Sequence, residues 1–236
     1  MARQDRLELL EQGVGSADDV RENLTEMWLL NQRLGGVDAL TRHLCPLLAK
    51  TNEPQQIVDL GTGSGELALY LARWAQEKQL DVTMWMLDVS ARNLSIAQKN
   101  AEDVSNVRLL QAGISALPFA NECVDYYISS LVLHHFTPEQ MVDLLGETFR
   151  RAKRGIVMSD LVRGYVPLAA FRLIQPIFVR NYLTRHDGAL SIRRAYLPHE
   201  LLAMAHQAGI ETARVYSHFP WRMTLVAEKA SEDAHV

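Results

Sequence analysis

Residues 57–68, Ile-Val-Asp-Leu-Gly-Thr-Gly-Ser-Gly-Glu-Leu-Ala, constrain this chain more than any other stretch. An apolar run with one acid passes into three alternate glycines. It then enters a helix whose inner face carries Leu67, Leu71, Trp74 and Ala75. Glycine at 61, 63 and 65 supplies what a tight strand-to-helix turn requires: backbone free to take positive φ, and no Cβ where a ligand approaches. A strand that feeds a helix in this way belongs to a crossover-connected parallel sheet. The rest of the chain agrees. Short apolar runs at 56–60, 82–87, 107–112, 124–130 and 155–159 alternate with amphipathic helices, which predicts an α/β doubly wound fold.

The helices between these runs are punctuated by local chemistry. Thr137-Pro138-Glu139-Gln140 offers an N-cap, a proline at the first helical position and a capping-box partner. Arg150, Arg151, Lys153 and Arg154 then suit a helix C-terminus, with Gly155 expected to close it. A last helix is predicted over 198–208, and strands over 211–216 and 223–227. Before the alternating region, Met27, Leu30, Leu34 and Val37, followed by Leu40, Leu44, Leu47 and Leu48, recur at helical spacing. Residues 1–52 therefore read as an N-terminal helical cover on a core formed by 53–160 and 197–236. Residues 161–196 break the alternation, with six arginines against one acid, Asp187, and read as an inserted cap that is mobile over the site. A length of 236 residues suits one domain with such a cap.

Charge and composition narrow the function. Twenty-four Lys and Arg against 28 Asp and Glu give −4, without the basic surplus that counterion release from nucleic acid requires. Cys45 and Cys123 are too few for a disulfide framework and read as separate reduced thiols. The N-terminus lacks the apolar core of a signal peptide, and the most apolar stretch, 165–179, is too short and too polar to span a bilayer. The expectation is a soluble cytoplasmic protein without nucleic acid or a membrane span.

The glycine spacing is not that of a dinucleotide fingerprint, because the third glycine comes one residue early. Asp59, two residues before the first glycine, suits a ligand with a positive group better than a pyrophosphate. The segment resembles motif I of class I S-adenosylmethionine-dependent methyltransferases, in the form D-x-G-x-G-x-G. The resemblance extends to Asp88, 27 residues after Gly61, to the loop that begins Gly113-Ile114, and to 124–135, Val-Asp-Tyr-Tyr-Ile-Ser-Ser-Leu-Val-Leu-His-His. It covers roughly 55–160 and is nearest to the ubiquinone/menaquinone-biosynthesis-like branch of small-molecule methyltransferases.

That resemblance implies a Rossmann-like sheet and S-adenosylmethionine as cofactor, with S-adenosylhomocysteine as product. The cofactor would lie on Asp59, Gly61, Thr62, Gly63, Gly65, Asp88, Val89, Gly113, Ile114, Ser130 and Leu131, with Asp88 taking the ribose hydroxyls. Asp88 also reads as a helix N-cap, although Ser90 is available for that role. Many relatives carry Asp where this chain has Gly113, so the adenine amino group would bond backbone or water here.

His134 and His135 lie at the active-site end of the fourth strand, and an imidazole suits proton removal near neutral pH. His135 is expected to face the cavity as base, His134 to pack against the helix start, and His186 to be the reserve base in the cap. Arg193, Arg194 and Tyr196 are expected to touch an anionic acceptor. Adjacent histidines with no partner at metal-ligand spacing predict no metal. The reading is an O- or C-methyltransferase for a phenol, quinol or similar acceptor. A non-catalytic cofactor-binding module acting through a protein partner, and an NAD(P)-dependent oxidoreductase, stand as alternatives.

Overall fold

The first five strands carry apolar residues on both faces, and such strands are stable only when helices cover both sides. The computed structural model describes residues 1–230 and shows this arrangement. The end of the core segment, 231–236, lies outside the described residues. Strands β1 (Gln55–Leu60), β2 (Val82–Asp88), β3 (Val107–Gln111), β4 (Val124–Ser130) and β5 (Ala152–Leu161) pair in parallel. Two further strands, β6 (Arg214–His218) and β7 (Arg222–Glu228), close the sheet, β7 antiparallel to both β5 and β6. The order is β3-β2-β1-β4-β5-β7-β6, a Rossmann-like doubly wound sheet that reverses direction between β1 and β4.

Alternation along the strands assigns the two layers. Ile57, Met84 and Ile128 pack with α2 (Gly36–Leu48), α3 (Glu66–Glu77) and α4 (Ala91–Asn100). Val58, Leu87 and Tyr127 pack with α5 (Pro138–Arg151) and α8 (Pro198–Gln207) on the opposite face. Thr137 forms the expected capping box with Gln140 at the start of α5, and Ser90 caps α4.

Two local expectations change. Gly155 does not end α5. The helix stops at Arg151 and the chain enters β5 directly, where a Cβ on Gly155 would lie 2.2 Å from the Ala227 carbonyl oxygen. Close approach of neighbouring strands, not a helix cap, is what requires glycine there. The N-terminal cover is helical in α1 (Ala17–Arg33) and α2, but the chain before Ser16 is turns and irregular backbone. Gly13 and Gly15, both at positive φ, lie in that stretch.

The cap consists of α6 (Tyr165–Phe178) and α7 (Tyr182–Arg194), packed through Leu168, Phe171, Val179 and Ile192. Helix α7 is fastened to the N-terminal region by buried polar contacts. The Asp187 carboxylate accepts from the backbone N–H groups of Leu9 and Leu10 at 2.9 and 3.1 Å, and Asn23 donates to Thr184 Oγ1 at 3.0 Å. Among the described residues, no helix is long and apolar enough to cross a membrane.

Candidate active site

A cavity of about 1340 Å³ opens beside the C-terminal ends of β1, β2 and β4, at the point where the strand order reverses. This is where open α/β sheets place ligands. Its two walls are built differently.

The glycine loop makes the first wall. Gly61 and Gly63 have φ of 68° and 59°, in the left-handed region that favours glycine. A Cβ on Gly61 would lie 2.8 Å from Val132 Cγ2, so the turn closes against the end of β4. The backbone N–H of Gly63 donates to Asp88 Oδ2 at 2.9 Å, and that of Ser90 donates to Asp88 Oδ1 at 2.8 Å. Asp88 thus ties the loop to β2 while facing the cavity, and Ser90 fills the N-cap role. Thr62 Oγ1 donates to Asp59 Oδ2 at 2.7 Å. Burial pushes the Asp59 carboxyl up to about 7; the Thr62 bond opposes this and the nearby Asp88 charge adds to it. Burial also raises Asp88, against the bonds it accepts.

Val89, Gly113, Ile114, Ser130 and Leu131 line the same cavity. Leu131 takes φ of 60°, and its N–H donates to the Ser159 carbonyl at 3.1 Å. Gly65 stands apart from the cavity. It precedes α3 at φ 82°, and a Cβ there would lie 2.7 Å from Met86 Sδ and 3.2 Å from Ala97 Cβ. Its glycine serves close packing of the loop against β2 and α4. Asn31, which the sequence did not single out, reaches from α1 and donates to Ser130 Oγ at 3.2 Å. Two carboxylates beside an open glycine turn suit a ligand that carries a diol and a cationic ammonium, so these residues fit S-adenosylmethionine.

The second wall is formed by the N-terminal segment and a 3-10 turn at Leu133–His135. His134 is 1% exposed. Its Nδ1 lies 2.9 Å from Asp160 Oδ1, its backbone N–H donates to Asp160 Oδ2 at 2.8 Å, and its Nε2 lies 3.5 Å from Glu8 Oε1. Burial alone would lower its pKa, but the Asp160 and Glu8 carboxylates outweigh that and push it up to about 10. It therefore holds its proton near neutrality and cannot serve as a base. His135 Nδ1 pairs with Glu11 Oε1 at 2.9 Å, and the ring is partly exposed to the cavity.

The expected acceptor contacts in the cap are placed differently. Arg194 is 3% exposed; it binds the Glu11 carboxylate and donates to the His134 and His135 carbonyls at 3.2 and 3.1 Å. Tyr196 is buried and its hydroxyl donates to the Phe136 carbonyl at 2.8 Å. The Arg193 carbonyl accepts from Gln4 N–H at 3.2 Å. None of these three lines the cavity; Arg194 and Tyr196 brace the 3-10 turn from behind, and the Arg193 carbonyl fastens the irregular N-terminal segment. His186 also lies outside it, half-exposed and bonded to Asp187 Oδ1 at 2.8 Å. Glu8, Glu11 and Asp160, with Asn31, are the site residues that sequence reasoning missed.

Comparison with known proteins fits this geometry. Residues 57–155 match the family model described as methyltransferase domain. The demethylmenaquinone methyltransferase of Thermus thermophilus is 28% identical over 203 residues, which covers 84% of this chain and 90% of that protein. Human N-acetylserotonin methyltransferase, solved in complex with its methyl donor, superposes with a TM-score of 0.64 at 16% identity, over 98% of this chain and 63% of that one. A SAM-dependent methyltransferase from Aquifex aeolicus superposes at 0.58 and 17% identity, over 84% of this chain and 98% of that one. Residues 57–155 form a methyltransferase domain, and the fold and the relatives together support an S-adenosylmethionine-dependent methyltransferase.

Proposed function

We propose that the protein methylates an oxygen or carbon of a phenol- or quinol-type small molecule. The observation that carries this is the two-sided lining of the cavity. It runs from the glycine loop past His135, so a cofactor and an acceptor can lie side by side, and it continues between α5 and α8 to Gly146 and Ala208. One wall offers Asp59, Gly61, Gly63 and Asp88 for the cofactor. The other offers His135. The name of the Thermus relative, a quinone-precursor methyltransferase, supports the acceptor class.

When bound, S-adenosylmethionine supplies an electrophilic methyl on a sulfonium. Asp88 would take the ribose hydroxyls and Asp59 would face the cationic end. Holding the acceptor in line is worth up to ~7–11 kcal/mol of the barrier. His135, oriented by Glu11, takes the acceptor proton, and Arg194 fixes the height of the turn through its carbonyl contacts. The open cavity disfavours a cofactor-binding module without catalysis, and the glycine spacing disfavours a nicotinamide enzyme.

The test is incubation with labelled methyl donor and pools of phenols, quinols, amines and carboxylic acids. Label is expected in the phenol or quinol pool. Label confined to amines or acids would overturn the acceptor class.

A further inference from the structure

We propose that Glu8, His134 and His135 form a binding site for a divalent transition-metal ion of the zinc class at the acceptor end of the cavity. The inference takes from the proposed function only the place where the acceptor sits.

The three side chains converge although they come from opposite ends of the fold. One nitrogen of each histidine and one oxygen of Glu8 lie within 4.8 Å of one another, and all three residues line the cavity. The His134 Nε2 to Glu8 Oε1 separation is 3.5 Å. Metal–ligand bonds of ~2.0–2.1 Å set tetrahedrally hold neighbouring ligand atoms about 3.4 Å apart, so this pair has metal-ligand spacing.

The surrounding bonds carry the argument further. A ligating histidine characteristically gives its other ring nitrogen to a carboxylate, which fixes the ring and raises its basicity. Here that happens twice: Asp160 takes His134 Nδ1 at 2.9 Å and Glu11 takes His135 Nδ1 at 2.9 Å. His135 Nε2 is left for a ligand, and at His134 the ion would take the place of the ring proton now held between Nε2 and Glu8, that proton leaving to solvent. Ser191 Oγ donates to Glu8 Oε1 at 2.6 Å, steadying the third ligand as well. Arg194 grips Glu11, so the shell behind His135 is itself held.

Two imidazoles and one carboxylate suit zinc, iron(II) or cobalt(II) better than magnesium or calcium, which prefer all-oxygen sites. Three protein ligands leave a fourth position facing the cavity, the pattern of catalytic sites. An acceptor hydroxyl occupying it would have its pKa lowered by coordination, its proton leaving to solvent. The ion would then do, through the same His135 nitrogen, what the free imidazole does in the metal-free protein. The expectation that no metal binds rested on local spacing, which does not register a ligand supplied by Glu8.

The experiment strips the full-length protein with a chelator, then titrates Zn²⁺ by calorimetry and Co²⁺ by visible absorption, with S-adenosylhomocysteine titrated in parallel. One Zn²⁺ per chain is expected, with a cobalt d–d band. Glu8→Gln and His135→Gln should each weaken Zn²⁺ binding at least tenfold; His135 is partly exposed, so its variant does not depend on the buried network. His218→Gln is the control, because His43 and His218 also bring ring nitrogens within 3.2 Å of each other. It should leave binding unchanged. Absence of saturable binding, binding that survives both site variants, or binding lost in His218→Gln would overturn the site. Zn²⁺ binding without S-adenosylhomocysteine binding would sustain the site and overturn the methyl-transfer reading; the reverse result would do the opposite.

Discussion

The two walls of the cavity are made in opposite ways. The wall proposed for the cofactor is mostly local: its centre is the glycine loop with Asp59 and the tip of β2, joined by the loops after β3 and β4 and by Asn31 from α1. The acceptor wall is assembled across the whole chain, with Glu8 and Glu11 from the N-terminal segment, His134 and His135 after β4, Asp160 from β5 and Arg194 from α7. A wall made of one loop can be kept while the other is rebuilt, which allows one cofactor chemistry to serve many acceptors. Damage to either should therefore separate cleanly in measurement.

The sharpest separation is expected for His135→Gln. Loss of a general base typically costs 10²–10⁴ in rate. kcat should fall by that factor while the dissociation constant of S-adenosylhomocysteine stays the same. Near-normal kcat with an unchanged acidic limb of the pH profile would show that an acceptor arriving already deprotonated needs no base.

Asp160→Asn tests whether the acceptor wall is also a structural keystone. Removing one partner of a buried ion pair costs about 3–5 kcal/mol, because the other is left uncompensated. Denaturant unfolding should show a loss of that size. A change under 1 kcal/mol would mean that Glu8 alone suffices to hold His134.

Legibility in the sequence follows the same division. Gly61, Gly63, Asp88, Thr137 and the five parallel strands announce themselves because their causes lie within a few residues: a positive φ, an acid at a strand end, a capping box. Arg194 and Tyr196 looked like acceptor contacts for their chemistry alone, and the fold turned them inward to brace the His134–Phe136 backbone. Glu8 and Glu11 carried no local signal, since their partners are distant in sequence. Asp160 did carry one. Like Asp59 and Asp88 it ends an apolar run, so an acid at the C-terminal end of a parallel strand marks both walls of the cavity. The cap was read as mobile from composition, but α7 spends Asp187, Thr184 and Ser191 on buried bonds to the N-terminal region and α1. Hydrogen exchange should find α7 protected already in the ligand-free protein. Protection appearing only with cofactor and acceptor would restore the mobile cap.

A smaller effect should appear in the pH dependence of cofactor binding. Asp59 titrates near 7 in the ligand-free protein, so below that pH it is largely protonated. An ammonium beside it favours the ionised form, and binding then releases a proton. Affinity should rise with pH up to about 7, by at most tenfold per unit, and then level off. In stability the sign is opposite: with the folded value above the ordinary 3.8, the native state binds the extra proton between about 3.8 and 7. Asp59's contribution therefore declines as pH rises through that window. Asp59→Asn should flatten both dependences, and equal slopes in the variant would remove Asp59 from the cofactor site.

The central claim is that the local wall is an S-adenosylmethionine site organised by Asp88. Calorimetric titration of S-adenosylhomocysteine into the wild type and Asp88→Ala tests it most directly. Hydrogen bonds to a charged group are worth about 1.5–3 kcal/mol each, so one ligand per chain should bind to the wild type and at least tenfold more weakly to the variant. Equal dissociation constants in the two proteins, both folded, would contradict the account.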